Sequence, residues 1–177
     1  MLGACAAALV GGASAEAIAD ALPRFTGLPF RRSLVAETGG VRVYNDAMAA
    51  TPVKAATGLG TYPRPVVWVA GGRMTFPGEV LHDSAAAHEQ LRGLGAVARD
   101  HVRAAVVFGE AAPVLRHVLL EAGFAGPVEE SDDLAAATRS AAAIVRPGES
   151  LVLAPVYSIP LEERARFDEL ALEALGR

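Results

Sequence analysis

The sequence is poor in several residue types, and each shortage removes a class of function. Cys5 is the only cysteine among 177 residues, so no internal disulfide can form and nothing indicates an oxidising compartment. Lys54 is the only lysine, which limits any mechanism that needs one. The net charge is −4 and no stripe of basic residues stands out, so nucleic-acid binding is not expected.

Long apolar runs are also missing. The longest, such as Pro65–Ala70 and Leu151–Val156, have the length of a strand and are too short to span a bilayer. Met1–Ala13 is apolar, but it lacks the positively charged start of a signal peptide and an ordinary helix follows it. We therefore expect no membrane segment, and the predicted compartment is the cytoplasm.

The composition is globular, with 52% apolar and 20% charged residues. Short, nearly continuous apolar runs alternate with segments of helical pattern, which is typical of a parallel sheet covered on both faces. The prediction is an α/β fold: a Rossmann-like, mostly parallel sheet with helices on both faces over residues 28–177, preceded by a short helical segment over residues 1–27. The predicted strands are Arg32–Glu37, Val41–Tyr44, Pro65–Ala70, Val102–Phe108 and Leu151–Val156. The predicted helices are Leu2–Val10, Ser14–Leu22, Thr51–Leu59, Ser84–Arg99, Ala111–Ala122, Ser131–Val145 and Leu161–Leu175.

Turn and cap residues define several of these boundaries. Thr51 before Pro52 is typical of a helix start, because the hydroxyl caps the first turn and proline needs no N–H partner there. Ser84 and Ser131 are predicted N-caps of later helices. The Gly-Gly pair at positions 39–40 predicts a tight hairpin turn with positive φ.

Polar side chains follow the strand Val41–Tyr44. Asn45 and Asp46 lie where this strand should end, and open α/β sheets bind ligands at the carboxyl ends of their strands. The two side chains could bind a hydroxyl or a cation there. They could equally stabilise a turn through their own backbone, so the residues alone leave both interpretations open.

Two further strand ends carry candidate binding groups. Gly71, Gly72 and Arg73 could cradle a ligand or phosphate, since glycine lets backbone N–H groups approach closely, or they could form a plain turn. Ser158 follows another strand and is suited to a hydrogen bond with a ligand. It lacks the glycine pattern of a nucleophile elbow. The four histidines have no metal-ligand spacing, so no metal site is predicted; they are His82, His88, His101 and His117.

Several motifs taken together resemble one known family. Phe25–Arg31 is similar to the Gly-Leu-Pro-His-Arg junction of the D-glutamate-adding Mur ligases, the UDP-N-acetylmuramoyl-L-alanine:D-glutamate ligases. Asn45–Pro52 resembles their strand end Asn-Asp-Ser-Lys-Ala-Thr-Asn and its variants. A strand ending in Gly-Gly, the segment Ala154–Ser158 beside their Ser-Pro, and a closing Glu-Glu-Arg helix with a phenylalanine are also similar.

The resemblance implies a part of a larger enzyme. Residues 28–177 look like the C-terminal domain of that family, and residues 1–27 look like the last helices of its central ATPase domain. The full enzyme would use ATP and Mg²⁺ to activate the carboxylate of UDP-muramoyl-alanine as an acyl phosphate, which the amine of D-glutamate then attacks in cytoplasmic peptidoglycan synthesis. The chain contains no P-loop, so alone it is expected to be inactive.

The resemblance also implies roles for individual residues. Arg31 would meet the ATP phosphates, and Asp46, with Asn45 beside it, would contact the ribose or nearby groups. An amino-acid pocket would be lined by the glycine pair and Ser158, with Arg73 supplying a positive charge for the glutamate side chain. The site residues that the resemblance implies are Arg31, Asn45, Asp46, Gly71, Gly72, Arg73 and Ser158.

The chain departs from the family pattern at several of these places. Two alternatives therefore stay open: a degenerate, non-catalytic relative that binds a small molecule or a partner protein, and the C-terminal domain of another family ligase such as a folylpolyglutamate synthase. The departures are Phe30 for histidine, Ala47 and Ala50 for hydroxyl residues, Met48 and Thr75 for lysines, and Ala154 for serine.

Overall fold

The computed structural model describes residues 2–74 and 85–176. Its helices are α1 (Leu2–Val10), α2 (Ala15–Ala21), α3 (Pro52–Leu59), α4 (Ala85–His101), α5 (Ala112–Glu121), α6 (Leu134–Ile144) and α7 (Leu161–Ala174). Its strands are β1 (Ser33–Thr38), β2 (Val41–Asn45), β3 (Val66–Gly71), β4 (Val102–Phe108), β5 (Val128–Ser131) and β6 (Ser150–Val156). Short 3₁₀ turns cover Leu22–Arg24 and Gly109–Ala111.

The strands form one six-stranded sheet in the order β1-β2-β6-β3-β4-β5. β1 pairs with β2 in antiparallel fashion across the predicted turn, where Gly39 and Gly40 have φ values of +57° and +77°. The other neighbouring strands are parallel, as the apolar runs predict. The predicted α/β, Rossmann-like fold is confirmed.

Helices cover both faces of the sheet and create two apolar layers. One layer lies under α3, α4 and α5, and Trp68 is fully buried in it with its indole N–H donating to the Ala154 carbonyl oxygen at 2.9 Å. The other lies under α6 and α7, where Phe167 is fully buried. The helices therefore leave the two ends of the parallel strands available for loops.

The start of α6 differs from its prediction. Asp133 is the N-cap and its carboxylate accepts the Ala136 N–H at 2.7 Å, whereas Ser131, the predicted cap, ends strand β5. Sequence patterning missed β5 because it has four residues, and both of its glutamates are exposed at the sheet edge. The Thr51 cap is confirmed, since its hydroxyl accepts the Lys54 N–H at 3.3 Å. The predicted cap Ser84 lies outside the described residues.

The two N-terminal helices bury none of their residues. Leu2 and Val10 of α1 are 89% and 91% exposed, and Phe25, which follows α2, is also exposed. Helices with such apolar surface normally pack against another element. Across residues 2–74 and 85–176, no helix combines the length and the apolar character needed to cross a bilayer.

An ion pair joins strands at the amino end of the sheet. Arg103 of β4 donates to both carboxylate oxygens of Glu149, and its Nη2 also donates to the Ile144 carbonyl oxygen at 2.8 Å. Glu149 is 5% exposed and accepts the Arg146 backbone N–H at 2.9 Å. This network lies at the opposite edge from the predicted binding residues, and we expect it to contribute to stability.

Candidate functional site

The fold brings the predicted site residues to the ends of three neighbouring strands. Asn45 and Asp46 end β2, Ser158 follows β6, and the glycine pair with Arg73 ends β3. Because β6 lies between β2 and β3 and all three are parallel, these ends meet along one edge of the sheet. The candidate site is this carboxyl edge.

The neighbouring strands β6 and β3 are followed by connections that lie on opposite faces of the sheet. The connection after β3 leads to α4 on one face, whereas the connection after β6 leads to α7 on the other. Such a switch point is where open α/β sheets form a ligand crevice. Backbone hydrogen bonds join the two loops here: the Arg73 N–H donates to the Ser158 carbonyl oxygen at 3.0 Å, and the Tyr157 N–H donates to that of Gly71 at 3.2 Å.

The two glycines at this point are required by close packing. A Cβ on Gly71 would overlap the Phe108 carbonyl oxygen of the neighbouring strand. Gly72 has φ +114°, and a Cβ there would lie 2.8 Å from the Ser158 carbonyl oxygen. The pair thus has a structural function whatever it binds, and its contact with an amino acid stays a prediction.

Arg73 is the exposed cation beside the switch point. Along the described parts of the chain it has no carboxylate within salt-bridge distance. The pKa of the Glu163 carboxyl on α7 is raised by partial burial, and the positive charge of Arg73 opposes this shift. Ser158 is half-buried next to the two loops. An exposed guanidinium beside a hydroxyl is suited to binding an anionic group.

The Asp46 carboxylate is buried, with 7% exposure, and two protein groups donate to it. Oδ1 accepts the Arg32 backbone N–H at 3.1 Å, and Oδ2 accepts the Tyr62 hydroxyl at 2.9 Å. Burial raises the pKa of Asp46 above its usual range, while the hydrogen bonds from Tyr62 and Arg32 oppose that rise. Burial, and then the neighbouring Asp46 carboxylate, likewise raise the pKa of the Tyr62 hydroxyl. Since a carboxylate can accept about four hydrogen bonds, acceptor capacity remains for a ligand hydroxyl.

Asn45 links the corner to the last helix. Its side chain is fully buried and its Nδ2 donates at 2.7 Å both to the Arg164 carbonyl oxygen and to Asp168 Oδ1. Its Oδ1 accepts the Ala47 N–H at 3.0 Å, which is the turn bond expected of asparagine. These bonds hold the corner against α7. The contact of Asn45 with ATP stays a prediction.

Asp168 provides a test of this link through pH. Burial raises the pKa of the Asp168 carboxyl, with the Asn45 hydrogen bond opposing the rise. The folded chain therefore binds this proton more strongly than the unfolded chain, and the free energy of unfolding falls as pH rises from the ordinary carboxyl pKa through the raised value. Asp168→Asn keeps an acceptor for Asn45 and removes the charge. We expect a higher melting temperature than the parent at pH 7 and no difference near pH 3.

Calorimetry of both proteins across that pH range measures the effect. Glu173→Gln, on a later turn of the same helix, is the charge-matched control. A melting temperature that falls more at pH 7 than at low pH in Asp168→Asn would show that the folded state favours the ionised carboxylate.

A loop with unusual backbone geometry carries Arg31. Its neighbours Phe30 and Arg32 have φ values of +60° and +50°, which are rare for residues with a Cβ. The Met48 N–H donates to the Phe30 carbonyl oxygen at 3.0 Å and helps to hold the loop on the corner. The Arg31 side chain is exposed.

An open groove of about 850 Å³ lies between this loop, α3 and the two N-terminal helices. One wall is apolar and includes Cys5, Ile18 and Phe25. The predicted nucleotide-binding residues Arg31 and Asp46 line the other wall. The remaining polar or polarisable side chains of that wall are Arg32, Met48, Lys54 and Thr57.

Comparison with known proteins gives the family. No protein-family model matches the chain. A UDP-N-acetylmuramoylalanine--D-glutamate ligase from Symbiobacterium thermophilum is 30% identical over 99% of the chain, and one from Sphingopyxis alaskensis is 35% identical over 98%. The chain belongs to the Mur ligases. It spans only 37% and 38% of the lengths of these two relatives.

Solved structures of Mur ligases share the fold. The UDP-N-acetylmuramate-alanine ligase of Thermotoga maritima matches 95% of the chain with a TM-score of 0.64 at 13% identity, and the chain covers 35% of it. The murein peptide ligase of Psychrobacter arcticus matches 97% with a TM-score of 0.63 at 17% identity, again over 35% of its own length. The fold of this Mur ligase chain is that of the C-terminal domains of the family.

One departure from the Mur ligase pattern has a direct structural counterpart. Met48 stands where many members have lysine, and its Sδ lies 2.9 Å from Nη1 of Arg164 on α7. The half-buried Arg164 also donates weakly to the Ile159 carbonyl oxygen at 3.4 Å. A lysine at position 48 would place two positive charges together. In this Mur ligase chain the cation beside position 48 is therefore Arg164 of α7. The departure at Thr75 lies outside the described residues.

Tyr62 and Asp168 contact the predicted residues, and no local sequence pattern distinguishes them. Arg164 belongs to the closing Glu-Glu-Arg motif, but the sequence did not indicate its contact with the corner. Within residues 2–74 and 85–176, no three histidine, cysteine, aspartate or glutamate side chains form a group that could hold a metal ion. His82 lies outside the described residues.

Proposed function

We propose that the chain is the C-terminal part of a Mur ligase that joins D-glutamate to UDP-N-acetylmuramoyl-L-alanine in cytoplasmic peptidoglycan synthesis. The observation that carries this proposal is the match of 98–99% of the chain to ligases of that name, of which it spans little more than a third. The convergence of the predicted residues at one sheet edge supports it.

The groove between α3 and the N-terminal helices fits the nucleotide. Arg31 and Lys54 line it, and both are exposed cations without a carboxylate in salt-bridge distance in the described structure. Such cations suit the phosphates of ATP, and Mg²⁺ would accompany those phosphates. Asp46 would accept a hydrogen bond from the ribose. Bound ATP supplies the phosphoryl group that activates the muramoyl-alanine carboxylate.

The switch point would bind the amino acid. Arg73 would pair with the side-chain carboxylate of D-glutamate and Ser158 would donate or accept a hydrogen bond. The backbone amides of the glycine pair would line the pocket floor. These residues would orient the amine and neutralise charge, which are the main contributions that a protein makes to such a transfer.

Residues 1–27 would belong to the preceding ATPase domain. The exposed apolar side chains of α1 and α2 support this division, because they would be buried against the rest of that domain. We propose that the isolated chain has no ligase activity, since the nucleotide would be bound mainly by the part that lies outside these residues.

The test is ligation by the full-length protein encoded in frame with this chain. We expect ADP release that depends on both UDP-N-acetylmuramoyl-L-alanine and D-glutamate and is absent with L-glutamate. The 177-residue chain alone should release none. ADP release by the full-length protein that does not depend on D-glutamate would refute the proposed substrate.

A non-catalytic relative is the second candidate. The observation that favours it is the loss of polar groups at the corner, where Ala47, Met48 and Ala50 replace ionisable or hydroxyl residues of the family pattern. The upstream DNA separates the two: a P-loop in frame supports the ligase, whereas a start codon with a ribosome-binding site at Met1 supports the free-standing relative. A folate substrate in the same ADP assay tests the folylpolyglutamate alternative.

A further inference from the structure

The Asp46 carboxylate joins two segments that flank the groove. Its Oδ1 accepts a hydrogen bond from the Arg32 backbone, in the loop that carries Arg31. Its Oδ2 accepts one from the Tyr62 hydroxyl, in the segment between α3 and β3. The carboxylate is thus held from both sides before any ligand binds.

Tyr62 is itself firmly placed. It is 6% exposed, and its ring packs against that of Tyr44 with centroids 5.0 Å apart and planes tilted by 47°. The residue before it adds a second contact, because the Arg32 guanidinium donates to the Thr61 hydroxyl oxygen at 3.2 Å. That hydroxyl donates in turn to the Gly58 carbonyl oxygen at 2.7 Å. The turn 58–62 therefore contacts the loop that carries Arg31 directly through Thr61 and indirectly through the Asp46 carboxylate.

Gly58 packs closely against the carboxylate. A Cβ on Gly58 would lie 2.9 Å from Asp46 Oδ2, so the glycine provides the space in which the carboxylate meets the tyrosine. The loop on the other side contains the positive-φ residues Phe30 and Arg32. Residues in such conformations persist when their surroundings hold them, and the Asp46 bond to Arg32 is one of the contacts that do so.

We propose that Tyr62 is a positioning residue for nucleotide binding. Its hydroxyl fixes the orientation of Asp46, Asp46 fixes the Arg32 backbone, and that backbone sets the direction in which Arg31 enters the groove. Without the hydroxyl, Oδ2 loses its donor in a buried position and the carboxylate turns away from the loop. This inference rests on the proposed function in one respect, the contact of Arg31 with the ATP phosphates.

The experiment is steady-state ligation by the full-length protein with ATP as the varied substrate. In Tyr62→Phe we expect the KM for ATP to rise about tenfold, the factor that corresponds to one hydrogen bond to a charged group, with kcat within about twofold. Tyr44→Phe is the matched control, because it removes a neighbouring hydroxyl that bonds to none of the described residues, and its KM should not change.

A double variant shows whether Tyr62 acts through Arg31. Arg31→Ala should raise the KM for ATP, and adding Tyr62→Phe to it should raise the KM by clearly less than tenfold, since the positioned side chain is already gone and only the proposed contact of Asp46 with the ribose is left to lose. Thr61→Val removes the second contact at an exposed position and should raise the KM about threefold. If Tyr62→Phe folds poorly, Asp46→Asn replaces it, because the asparagine cannot accept both hydrogen bonds as the carboxylate does, and it should raise the KM at least as much.

Two outcomes overturn the inference while the proposed ATP contact stands. One is an unchanged KM for ATP in folded Tyr62→Phe while Arg31→Ala raises it, whatever Thr61→Val does. The other is a double variant whose KM increase equals the product of the two single increases. An unchanged KM in Arg31→Ala refutes the proposed contact itself, and with it the route from Tyr62 to the nucleotide.

Discussion

Gly71→Ala should destabilise the chain strongly. The new Cβ would overlap the Phe108 carbonyl oxygen and approach the Phe108 ring to 2.7 Å, between the paired strands β3 and β4. Neither backbone can move without breaking ladder hydrogen bonds. We expect the free energy of unfolding to fall by about 3 kcal/mol or more. For a chain of this size that lowers the melting temperature by roughly 10 °C.

Gly93→Ala is the matched control. Gly93 lies on the exposed face of α4 and a Cβ there meets nothing within 4 Å. Alanine in a helix interior is favoured over glycine, so this variant should be more stable than the parent by about 0.5–1 kcal/mol. Urea unfolding followed by circular dichroism measures both. If Gly71→Ala unfolds at the same urea concentration as the parent, β3 and β4 can separate without cost and the close approach is not a constraint.

Glu149→Ala should produce the second large loss of stability. It leaves the Arg103 guanidinium with the Ile144 carbonyl oxygen as its remaining acceptor and leaves the Arg146 N–H without its partner. Breaking a buried ion pair by removing one member typically costs about 3 kcal/mol, because a desolvated charge stays behind. The melting temperature should fall by roughly 10 °C and the isolated chain can be used for the measurement.

Glu130→Ala breaks an exposed ion pair and is the control. Arg116 and Glu130 are each about half exposed and lie 3.2 Å apart. Such a pair contributes about 0.5 kcal/mol and less at high salt. Equal losses in Glu130→Ala and Glu149→Ala, both disappearing in 1 M salt, would mean that the Arg103 pair is as well solvated as the surface pair.

The strands of the core could be predicted because a strand that is buried on both faces has a nearly continuous run of apolar residues. β3 and β6 are nearly continuous apolar runs, and β4 was predicted to the residue. β5 carries no such signal, since it is a short edge strand held by backbone bonds to β4. The error at Ser131 follows from this, because a serine that ends an unrecognised strand resembles a free N-cap.

The candidate site could be predicted in part. Asp46, Gly72 and Ser158 each follow a predicted strand, and parallel strands end at the same edge of a sheet. The sequence alone therefore places these three residues on the same side. That β6 lies between β2 and β3 depends on crossovers over the whole chain. The bonds from Asn45 to α7 and from Tyr62 to Asp46 depend on tertiary packing as well. Short sequence patterns do not predict contacts between residues so far apart in the chain.

The hydrogen bonds between Asn45 and the last helix have a consequence for folding during synthesis. The partners of Asn45 lie 119 and 123 positions later. Synthesis proceeds from the amino end, so the corner at Asn45 leaves the ribosome long before the residues that complete it. A nascent chain that stops before Leu161 has both strands of the hairpin and an unfinished corner. The Asn45 corner of the candidate site is therefore completed late, although its own residues are translated early.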